Sequence, residues 1–378
     1  ESTYYPGLEG VIASETTICD LQGRQGAGGL AYRGYSIEDL AETVSYEEAA
    51  YLLLHGDLPN KSQLKEFDAR LRAARTLPEP LVALFRQIPK NVHPMDVLRT
   101  SVSVLAHFDP DLEAPATDHD ANVRKAERLI AQMATAVAYR ERIVRGQEVV
   151  APRADLDHAA NFLSMVNGKA PSDAMRSAFD LSLVLYAEHE LNASTFCARV
   201  TVSTLSDLHS GIVAAVGTLK GPLHGGANEE AWKVLEGVGS PEAAPGWIEA
   251  ALARKERIMG FGHRVYKTGD PRARILKKHC QELAREIGDD RWERTAEPIE
   301  KAVTEAKGLP PNVDWPSARL YHYMGLDISI YTPIFAMARV AGWSAHCIEQ
   351  LDNNRLMRPR GKYIGPKPRD VTALDKRG

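Results

Sequence analysis

From residue 36 onward, the sequence is a succession of helix-start signals separated by short connections rich in Pro and Gly. Ser36 and Ser45 each precede an acidic residue by three positions, which is the capping-box pattern of a helix N-terminus. Further helices are predicted from Asn60 to about Arg75, from Pro94 to about His107, and from Asp118 to Arg142, the last with its charges on one side. Because strands and helices do not alternate, the sequence predicts an all-α, bundle-like fold and argues against a parallel sheet.

Strand character is confined to the start of the chain, where Thr16–Cys19 and Leu30–Tyr32 flank a Gly-rich stretch. These residues predict a short β-hairpin. Gly26–Ala31 also matches a GxGxxA dinucleotide-binding pattern, in which a strand precedes the glycines and a helix follows them. Here polar residues precede the glycines and the strand-like piece follows, so we reject the nucleotide-binding interpretation.

The length of 378 residues favours two domains, since single hydrophobic cores stop growing at about 250 to 300 residues. After Pro222, closely spaced Pro and Gly residues separate short charged helices, and from Asp327 an apolar run returns. We therefore expect a large helical domain of residues 1–221 plus 326–378 and a smaller inserted helical domain of residues 222–325. The final stretch, Arg355–Gly378, contains three prolines and little apolar surface, which predicts an extended arm.

Composition excludes several classes of partner and site. Lys and Arg number 46 against 50 Asp and Glu, a net charge of −4, so no basic field indicates nucleic acid or an anionic membrane. No apolar stretch approaches the roughly 18 residues of a membrane span, and the first twenty residues lack the pattern of a signal peptide. Four distant cysteines without a CxxC pair favour a reducing cytoplasm, and the lack of an HExxH motif or close acidic cluster leaves metal catalysis unsupported.

A helix predicted between Ser206 and Lys220 carries four small residues spaced for close helix packing. They are Gly211, Ala214, Ala215 and Thr218. This spacing suits either a subunit interface or a helix buried within its own chain, and the sequence does not decide between them.

Polar residues cluster at four breaks in the helical pattern. The first, Lys220–Asn228, places His224 beside glycines after a helix end, where a ligand can approach the backbone, although a plain connecting turn has the same composition. The second, Gly260–Arg272, combines His263 with three cationic residues, open glycine backbone and a Pro that starts the next helix. A solvent-exposed turn without a function rarely combines so many chemically active residues.

The third break, Pro310–Pro316, holds Asp314 in a stiffened loop beside an indole. Burial would raise the pKa of this carboxyl group toward that of a useful base, but Asp314 could equally cap a helix starting near Ser317. The fourth is a charge, Arg339, inside an otherwise apolar helix, followed by the polar stretch Asn353–Arg360. A charge in such a helix requires an anionic partner.

Together these segments resemble the citrate synthase family. Gly260–Arg272 fits the family signature at every constrained position, and PLHGGAN at Pro222–Asn228 and NVD at Asn312–Asp314 stand in the expected order around it. Supporting matches are Ala31–Gly34, Glu188–Ser194 and Asn353–Arg360. The resemblance covers essentially the whole chain and implies a two-domain, all-α citrate-synthase-like fold.

The resemblance implies condensation of acetyl-CoA with oxaloacetate and water to citrate and CoA. In such enzymes the aspartate of NVD removes a proton from the acyl carbon, a role that falls to Asp314. The histidine of PLHG hydrogen bonds to the thioester oxygen of the enol, which assigns His224, and the signature histidine polarises the keto oxygen of oxaloacetate, which assigns His263. The acyl carbon of a thioester is a weak acid, so its deprotonation needs a base and a group that stabilises the oxyanion, both in a site that excludes water.

By the same resemblance, four further residues would bind the carboxylates of oxaloacetate. They are His189, Arg272, Arg339 and Arg358. Arg358 would reach from the C-terminal arm into the partner subunit, so we expect a homodimer to be required for activity. The loop formed by Ile258, Met259, Gly260, Phe261 and Gly262 is expected to contact the acyl-CoA co-substrate through main-chain groups. No permanently bound cofactor and no metal are implied.

The acyl preference stays open, because Trp315 and Pro316 follow NVD at positions that vary among relatives and are expected near the acyl group. One methylene is discriminated by only about 1 to 3 kcal/mol. The chain is therefore expected to use acetyl-CoA and could also convert propionyl-CoA to 2-methylcitrate, either as a second activity or as the main one. A different alternative is a non-catalytic helical dimer that binds CoA.

Overall fold

The computed structural model describes residues 4–22, 29–263, 265–266 and 268–377. Over these residues the chain forms α-helices joined by short connections, with a small antiparallel sheet near its start, which confirms the all-α expectation. The strands are β1 (Cys19–Asp20), β2 (Ala31–Tyr32) and β3 (Tyr35–Ser36). The helices are α1 (Ile37–Thr43), α2 (Tyr46–His55), α3 (Lys61–Ala73), α4 (Glu79–Gln87), α5 (Pro94–His107), α6 (His119–Val144), α7 (His158–Asn167), α8 (Asp173–Tyr186), α9 (Ala193–Val202), α10 (Leu208–Leu219), α11 (Ala227–Val238), α12 (Ala244–Ala253), α13 (Pro271–Ile287), α14 (Arg291–Lys307), α15 (Asp314–Tyr323) and α16 (Tyr331–Asp352). Within the described ranges, no helix combines the length and apolar character needed to cross a membrane.

The predicted hairpin forms and gains a third strand. β1 pairs with β2, with Cys19 opposite Tyr32, and β2 pairs with β3, with Tyr32 opposite Tyr35. The buried Tyr32 hydroxyl donates to the Val184 carbonyl oxygen (2.9 Å), which fixes the sheet to the end of α8. Positions 26 to 28 of the GxGxxA pattern lie outside the described residues.

Local capping contacts set the helix starts that the sequence predicts. Ser45 accepts the Glu48 N–H while the Glu48 carboxylate accepts the Ser45 N–H, a complete capping box. Asn60 and Gln63 do the same at the start of α3, and the Asp118 side chain caps α6. Each pair spans three residues, which is why these starts can be read from sequence alone.

α6 differs from the one-sided amphipathic helix predicted for it, because neighbouring helices also cover its charged residues. Glu127 is buried and accepts a hydrogen bond from Arg70 Nε (2.8 Å) on α3. Arg140 is buried and donates to the carbonyl oxygens of Phe85 (2.6 Å) and Pro89 (2.6 Å) at the end of α4. Such hydrogen bonds make the burial of these charges tolerable.

The core is organised around α16, which is buried along nearly all of its length and packs against α2, α6, α8, α9 and α10. An apolar run on all faces of a helix favours such a central position. Helices α11 to α15 pack chiefly on one another, as α13 with α15, α11 with α15 and α12 with α14. This grouping is compatible with an inserted small domain, whose boundaries stay a prediction.

α10 uses its small residues on two faces. A Cβ at Gly211 would lie 2.8 Å from Val202 Cγ1 and 3.0 Å from Cys347 Sγ, so this position packs against α9 and α16 of its own chain. Ala214 and Thr218 are only partly buried. Packing within the chain thus explains Gly211, and a subunit interface that includes the other two residues stays a prediction.

Beyond α16 the chain is extended and largely exposed, apart from a 3-10 turn at Leu374–Lys376, which confirms the predicted arm. The base of the arm is fixed to the body of the protein. Met357 N–H donates to Ser203 Oγ (3.1 Å), and Gln350 Nε2 donates to the Arg355 carbonyl oxygen (3.2 Å).

Candidate active site

The glycine-rich loop of the signature and the NVD loop lie side by side in the folded chain. Gly262 N–H donates to the Pro310 carbonyl oxygen (2.8 Å), and Asn312 N–H donates to the Gly260 carbonyl oxygen (2.9 Å). The Asn312 side-chain amide also donates to the Gly262 carbonyl oxygen (3.0 Å). The loop predicted to bind CoA therefore lies next to the loop that carries the predicted base.

The Trp315 side chain packs against the glycine-rich loop. Gly260 has a φ of +90°, and a Cβ there would lie 2.9 Å from the Trp315 ring, so both the backbone and the space require glycine. The ring of Phe261 packs 4.7 Å from that of Trp315, and the buried indole N–H donates to Glu300 (3.0 Å). Trp315, expected near the acyl group, thus contacts the loop predicted to bind CoA.

Asp314 is the first residue of α15, and its carboxylate accepts a hydrogen bond from the Tyr186 hydroxyl (2.8 Å) on α8. The Tyr186 hydroxyl also lies 2.9 Å from Ser317 Oγ. Burial raises the pKa of Asp314, against the opposing effects of the Tyr186 hydrogen bond and the charge of Arg272. α15 has no side-chain cap, so the alternative in which Asp314 caps a helix near Ser317 is wrong, because the carboxylate binds a residue of another helix instead.

Asp270 joins the signature loop to the NVD loop. Its buried carboxylate accepts hydrogen bonds from Arg272 Nε (3.0 Å) and Nη2 (2.9 Å), a bidentate ion pair. It also accepts the main-chain N–H of Val313 (3.0 Å), the residue before Asp314. One carboxylate therefore positions both an arginine predicted to bind substrate and the loop that carries the predicted base.

His224 lies in the turn between α10 and α11, where Gly225 N–H donates to the Leu219 carbonyl oxygen (3.0 Å) and a larger residue would overlap that oxygen. The Ser194 main-chain N–H donates to His224 Nε2 (3.3 Å), and the Ser194 hydroxyl lies 2.7 Å from the same atom. Burial, with the charge of Arg339, lowers the pKa of His224 to about 4. The imidazole is therefore neutral near pH 7, and since Nε2 accepts from a main-chain N–H, the proton lies on Nδ1.

Two further imidazoles, His189 and His263, lie with their ring centroids 5.2 Å apart. His263 Nδ1 accepts the main-chain N–H of Val265 (3.0 Å), so in the neutral ring the proton lies on Nε2. His189 Nε2 lies 3.0 Å from the Tyr266 hydroxyl. Burial, reinforced by two nearby arginine charges, lowers the pKa of His189 well below its ordinary value.

Arg339 contacts both the end of α8 and the aromatic residue nearest to His224. Its buried Nε donates to the Tyr186 carbonyl oxygen (2.6 Å), and its guanidinium carbon lies 4.7 Å from the centroid of the Phe335 ring. That ring lies 4.8 Å from the ring of Tyr186 and 6.3 Å from that of His224. The charge of Glu188 acts on Arg339, but the two side chains form no ion pair among the described residues, so the guanidinium can still meet an anionic ligand.

Comparison with known proteins shows the family of the chain. The family model described as "Citrate synthase, C-terminal domain" matches residues 7–360. The chain belongs to the citrate synthase family. "Citrate synthase 2" of Bacillus subtilis is 48% identical over 372 residues, which are 98% of each chain. "2-methylcitrate synthase 1" of Corynebacterium glutamicum is 42% identical over 382 residues, covering 100% of this chain and 99% of that one.

Solved citrate synthases share the fold over nearly the whole chain. The structure from Pyrobaculum aerophilum matches with a TM-score of 0.89 at 42% identity, covering 98% of this chain and 95% of that one. A ternary complex of the Thermoplasma acidophilum enzyme with carboxymethyl coenzyme A and oxaloacetate matches with a TM-score of 0.92 at 33% identity, covering 100% of both chains. The family resemblance and the fold expected from the sequence are thereby confirmed.

One residue of the expected citrate synthase set, Arg358, lies elsewhere. It is exposed at the base of the arm and lines a cleft of about 1110 Å³ together with Thr17, Arg199 and Glu349. The other predicted site residues do not line this cleft. Donation of Arg358 to a partner subunit stays a prediction.

Sequence reasoning missed the residues that hold the reactive groups of this citrate synthase fold. Tyr186 lies three residues before His189, yet in sequence it resembles any core aromatic residue of α8. Asp270 and Tyr266 lie inside the signature, but the motif does not indicate which side chains they contact. No group of three or more His, Cys, Asp or Glu side chains suited to a metal ion occurs in the part of the chain that the structure describes.

Proposed function

We propose that the chain condenses acetyl-CoA with oxaloacetate and then hydrolyses the thioester, giving citrate and CoA. The observation that carries the proposal is the partly buried Asp314 carboxylate, which accepts a hydrogen bond from Tyr186 beside the loop predicted to bind CoA. Contacts of neighbouring residues support it: the Tyr186 ring packs on that of Phe335, which lies 6.3 Å from the ring of His224, and the ring of His263 lies 5.2 Å from that of His189. Base and oxyanion donors in one buried site are what enolisation of a thioester demands.

In the first step, Asp314 takes a proton from the methyl carbon of the acetyl group. A carboxylate whose pKa is raised by burial is a stronger base for this transfer. The negative charge moves to the thioester oxygen, to which Nδ1–H of His224 donates. Because the pKa of His224 is about 4, its ring acts as a neutral hydrogen-bond donor.

In the second step, the enolate carbon attacks the keto carbon of oxaloacetate. Nε2–H of His263 donates to the keto oxygen as it gains charge, and the new carbon–carbon bond gives a citryl thioester. Water then attacks the thioester carbonyl, so that the carbon–sulfur bond breaks and CoA leaves as a thiol. The proton that Asp314 took from the methyl carbon is balanced by the one that the new hydroxyl oxygen gains, so that Asp314 is again a carboxylate. Water supplies an oxygen to the new carboxylate and a proton to the CoA sulfur, and its second proton is released. Acetyl-CoA, oxaloacetate and one water thus give citrate, CoA and one proton.

Binding of oxaloacetate, a dianion, would use the cationic side of the cleft. Arg272 donates to Asp270 through Nε and Nη2, so its Nη1 can donate to a substrate carboxylate. Arg339 forms no ion pair with a carboxylate among the described residues, so it can bind a second substrate carboxylate. His189 completes the set within the chain. The similarity to the Thermoplasma acidophilum enzyme, which was solved with oxaloacetate, supports this assignment.

Acyl-CoA would bind along the loop formed by Ile258, Met259, Gly260, Phe261 and Gly262. The main-chain bonds to the NVD loop come from the neighbours of Phe261, so its own N–H and C=O point to the opposite edge. We infer that these groups meet the CoA chain, while Gly260 and Gly262 hold the loop in place.

We also infer a cytoplasmic homodimer in which Arg358 of the partner subunit completes each oxaloacetate site. The exposed position of Arg358 and the four unpaired cysteines support this inference. A mixed dimer of Arg358→Ala and His224→Ala chains should regain about one working site, since one of its two sites contains neither substitution. No recovery above the parent variants would mean that sites are not shared.

The direct test is release of the CoA thiol from acetyl-CoA in the presence of oxaloacetate, followed with a thiol reagent, together with identification of citrate. Asp314→Asn preserves shape but removes the base, so turnover should fall by at least about 100-fold with folding retained. Thiol release from neither acetyl-CoA nor propionyl-CoA would refute the proposal and favour a non-catalytic CoA-binding dimer.

A second candidate activity is the formation of 2-methylcitrate from propionyl-CoA. It is favoured by the similarity to proteins named 2-methylcitrate synthase, which are 42% to 43% identical over nearly the full chain. Steady-state kinetics with both acyl-CoA substrates distinguishes the cases. Comparable kcat/KM values would indicate a bifunctional enzyme, and a preference of more than about 100-fold would assign one activity.

A further inference from the structure

Tyr266 has no assigned role, yet it contacts three of the residues proposed to bind oxaloacetate. Its side chain is 3% exposed and lies within the signature loop. Its hydroxyl is 3.0 Å from His189 Nε2, and its ring lies 4.5 Å from the ring of His263. The guanidinium carbon of Arg272 lies 5.7 Å from the centroid of the same ring, within the range of a cation–π contact.

The hydroxyl can set the tautomer of His189. A neutral imidazole has one donor and one acceptor nitrogen, and a phenol has one proton to donate. His189 Nε2 is the hydrogen-bond partner of the Tyr266 hydroxyl among the described residues. If the hydroxyl donates, Nε2 accepts and the proton of His189 lies on Nδ1.

This tautomer is the one that an anionic substrate requires. Burial and neighbouring arginine charges lower the pKa of His189, so its ring is neutral and offers a single N–H donor. A carboxylate accepts hydrogen bonds and cannot donate them. With Nε2 occupied by the phenol, the N–H donor lies on Nδ1, where an interaction with the main chain of His189 itself also favours the proton. A substrate carboxylate can accept from this donor.

We propose that Tyr266 is a positioning residue of the oxaloacetate site, whose hydroxyl fixes His189 with Nδ1–H available to a substrate carboxylate and whose ring supports His263. The inference rests on the proposed function and deepens it. The hydroxyl acts on binding through His189, whereas the ring acts on turnover through His263. The two contributions are therefore separable by substitution.

The test compares Tyr266→Phe, which removes only the hydroxyl, with Tyr266→Leu, which also removes the ring. Tyr323→Phe is the matched control, because its buried hydroxyl donates to Glu293 (3.2 Å) away from the site. Oxaloacetate affinity is measured by titration calorimetry without CoA, and KM and kcat are measured for both substrates. Nitrogen NMR of labelled histidine reports the Nδ1-protonated tautomer.

Tyr266→Phe should weaken oxaloacetate binding by about 3- to 10-fold, the effect of one neutral hydrogen bond, with acetyl-CoA KM and kcat within about two-fold of wild type. One histidine should lose its defined tautomer. Tyr266→Leu should lower kcat as well, and the control should match wild type.

Unchanged oxaloacetate affinity in Tyr266→Phe would overturn the proposal, as would an equal rise of both KM values, which indicates a general structural effect. Wild-type protein that binds oxaloacetate but releases no CoA thiol would refute the proposed function. The role of Tyr266 in oxaloacetate binding would still be tested by comparing the calorimetric affinities of wild type and Tyr266→Phe. Failure of the wild-type protein to bind oxaloacetate would overturn both.

Discussion

Replacing Tyr186 by Phe should change how the activity depends on pH. The Tyr186 hydroxyl is 2.8 Å from the Asp314 carboxylate and opposes the rise in the pKa of Asp314 that burial causes. A hydrogen bond to a charged group contributes about 1.5 to 3 kcal/mol, and one to a neutral group about 0.5 to 1.5 kcal/mol. Loss of the hydroxyl therefore destabilises the carboxylate relative to the carboxylic acid by about 1 to 2 kcal/mol.

The sign follows from the role of Asp314 as a base. When the carboxylate loses its donor, the pKa of Asp314 rises further, and the side chain is protonated at a pH where the wild-type residue is not. The acid limb of the kcat/KM profile should therefore move to higher pH. On the acid side of the limb, kcat/KM should fall by about 5- to 30-fold.

The assay is thiol release measured across the pH range for wild type, Tyr186→Phe and a control. Tyr331→Phe is a suitable control, because its buried hydroxyl donates to the Ala318 carbonyl oxygen (3.1 Å) and not to a carboxylate. The plateau at high pH should stay within a few-fold of wild type. An equal loss of activity at every pH, with the acid limb at its wild-type position, would refute the reasoning. It would indicate that Tyr186 acts only through packing.

Three further substitutions test other parts of the site. Gly260→Ala places a Cβ 2.9 Å from the Trp315 ring at a φ of +90°, so the KM for acetyl-CoA should rise at least about ten-fold while oxaloacetate affinity changes little, as kinetics and calorimetry can show. Asp270→Ala leaves a buried guanidinium without its partner, which should lower the free energy of unfolding in urea by about 3 to 5 kcal/mol. Ser194→Ala removes the hydroxyl beside His224 but keeps the main-chain donor, so kcat should fall by less than about ten-fold; a loss as large as that of His224→Ala would contradict the assigned tautomer.

The helix starts and the order of the motifs could be predicted from the sequence. The box formed by Ser45 and Glu48 spans three residues, and the cap at Asn60 depends on equally local contacts. Local geometry of this kind needs no knowledge of the rest of the chain. The extended arm after Arg355 was predictable for the same reason, since its prolines and scarce apolar residues oppose a packed helix.

The partners of the reactive groups were decided by tertiary structure. Tyr186 and Asp314 are separated by 128 positions, and His189 and Tyr266 by 77. Whether α6 shows one polar face or is covered all round likewise depends on which helices pack against Glu127 and Arg140. Residue types set what each side chain can donate, accept or bury, but contacts between distant segments exist only after the helices pack, and they set the pKa of Asp314 and the tautomer of His224.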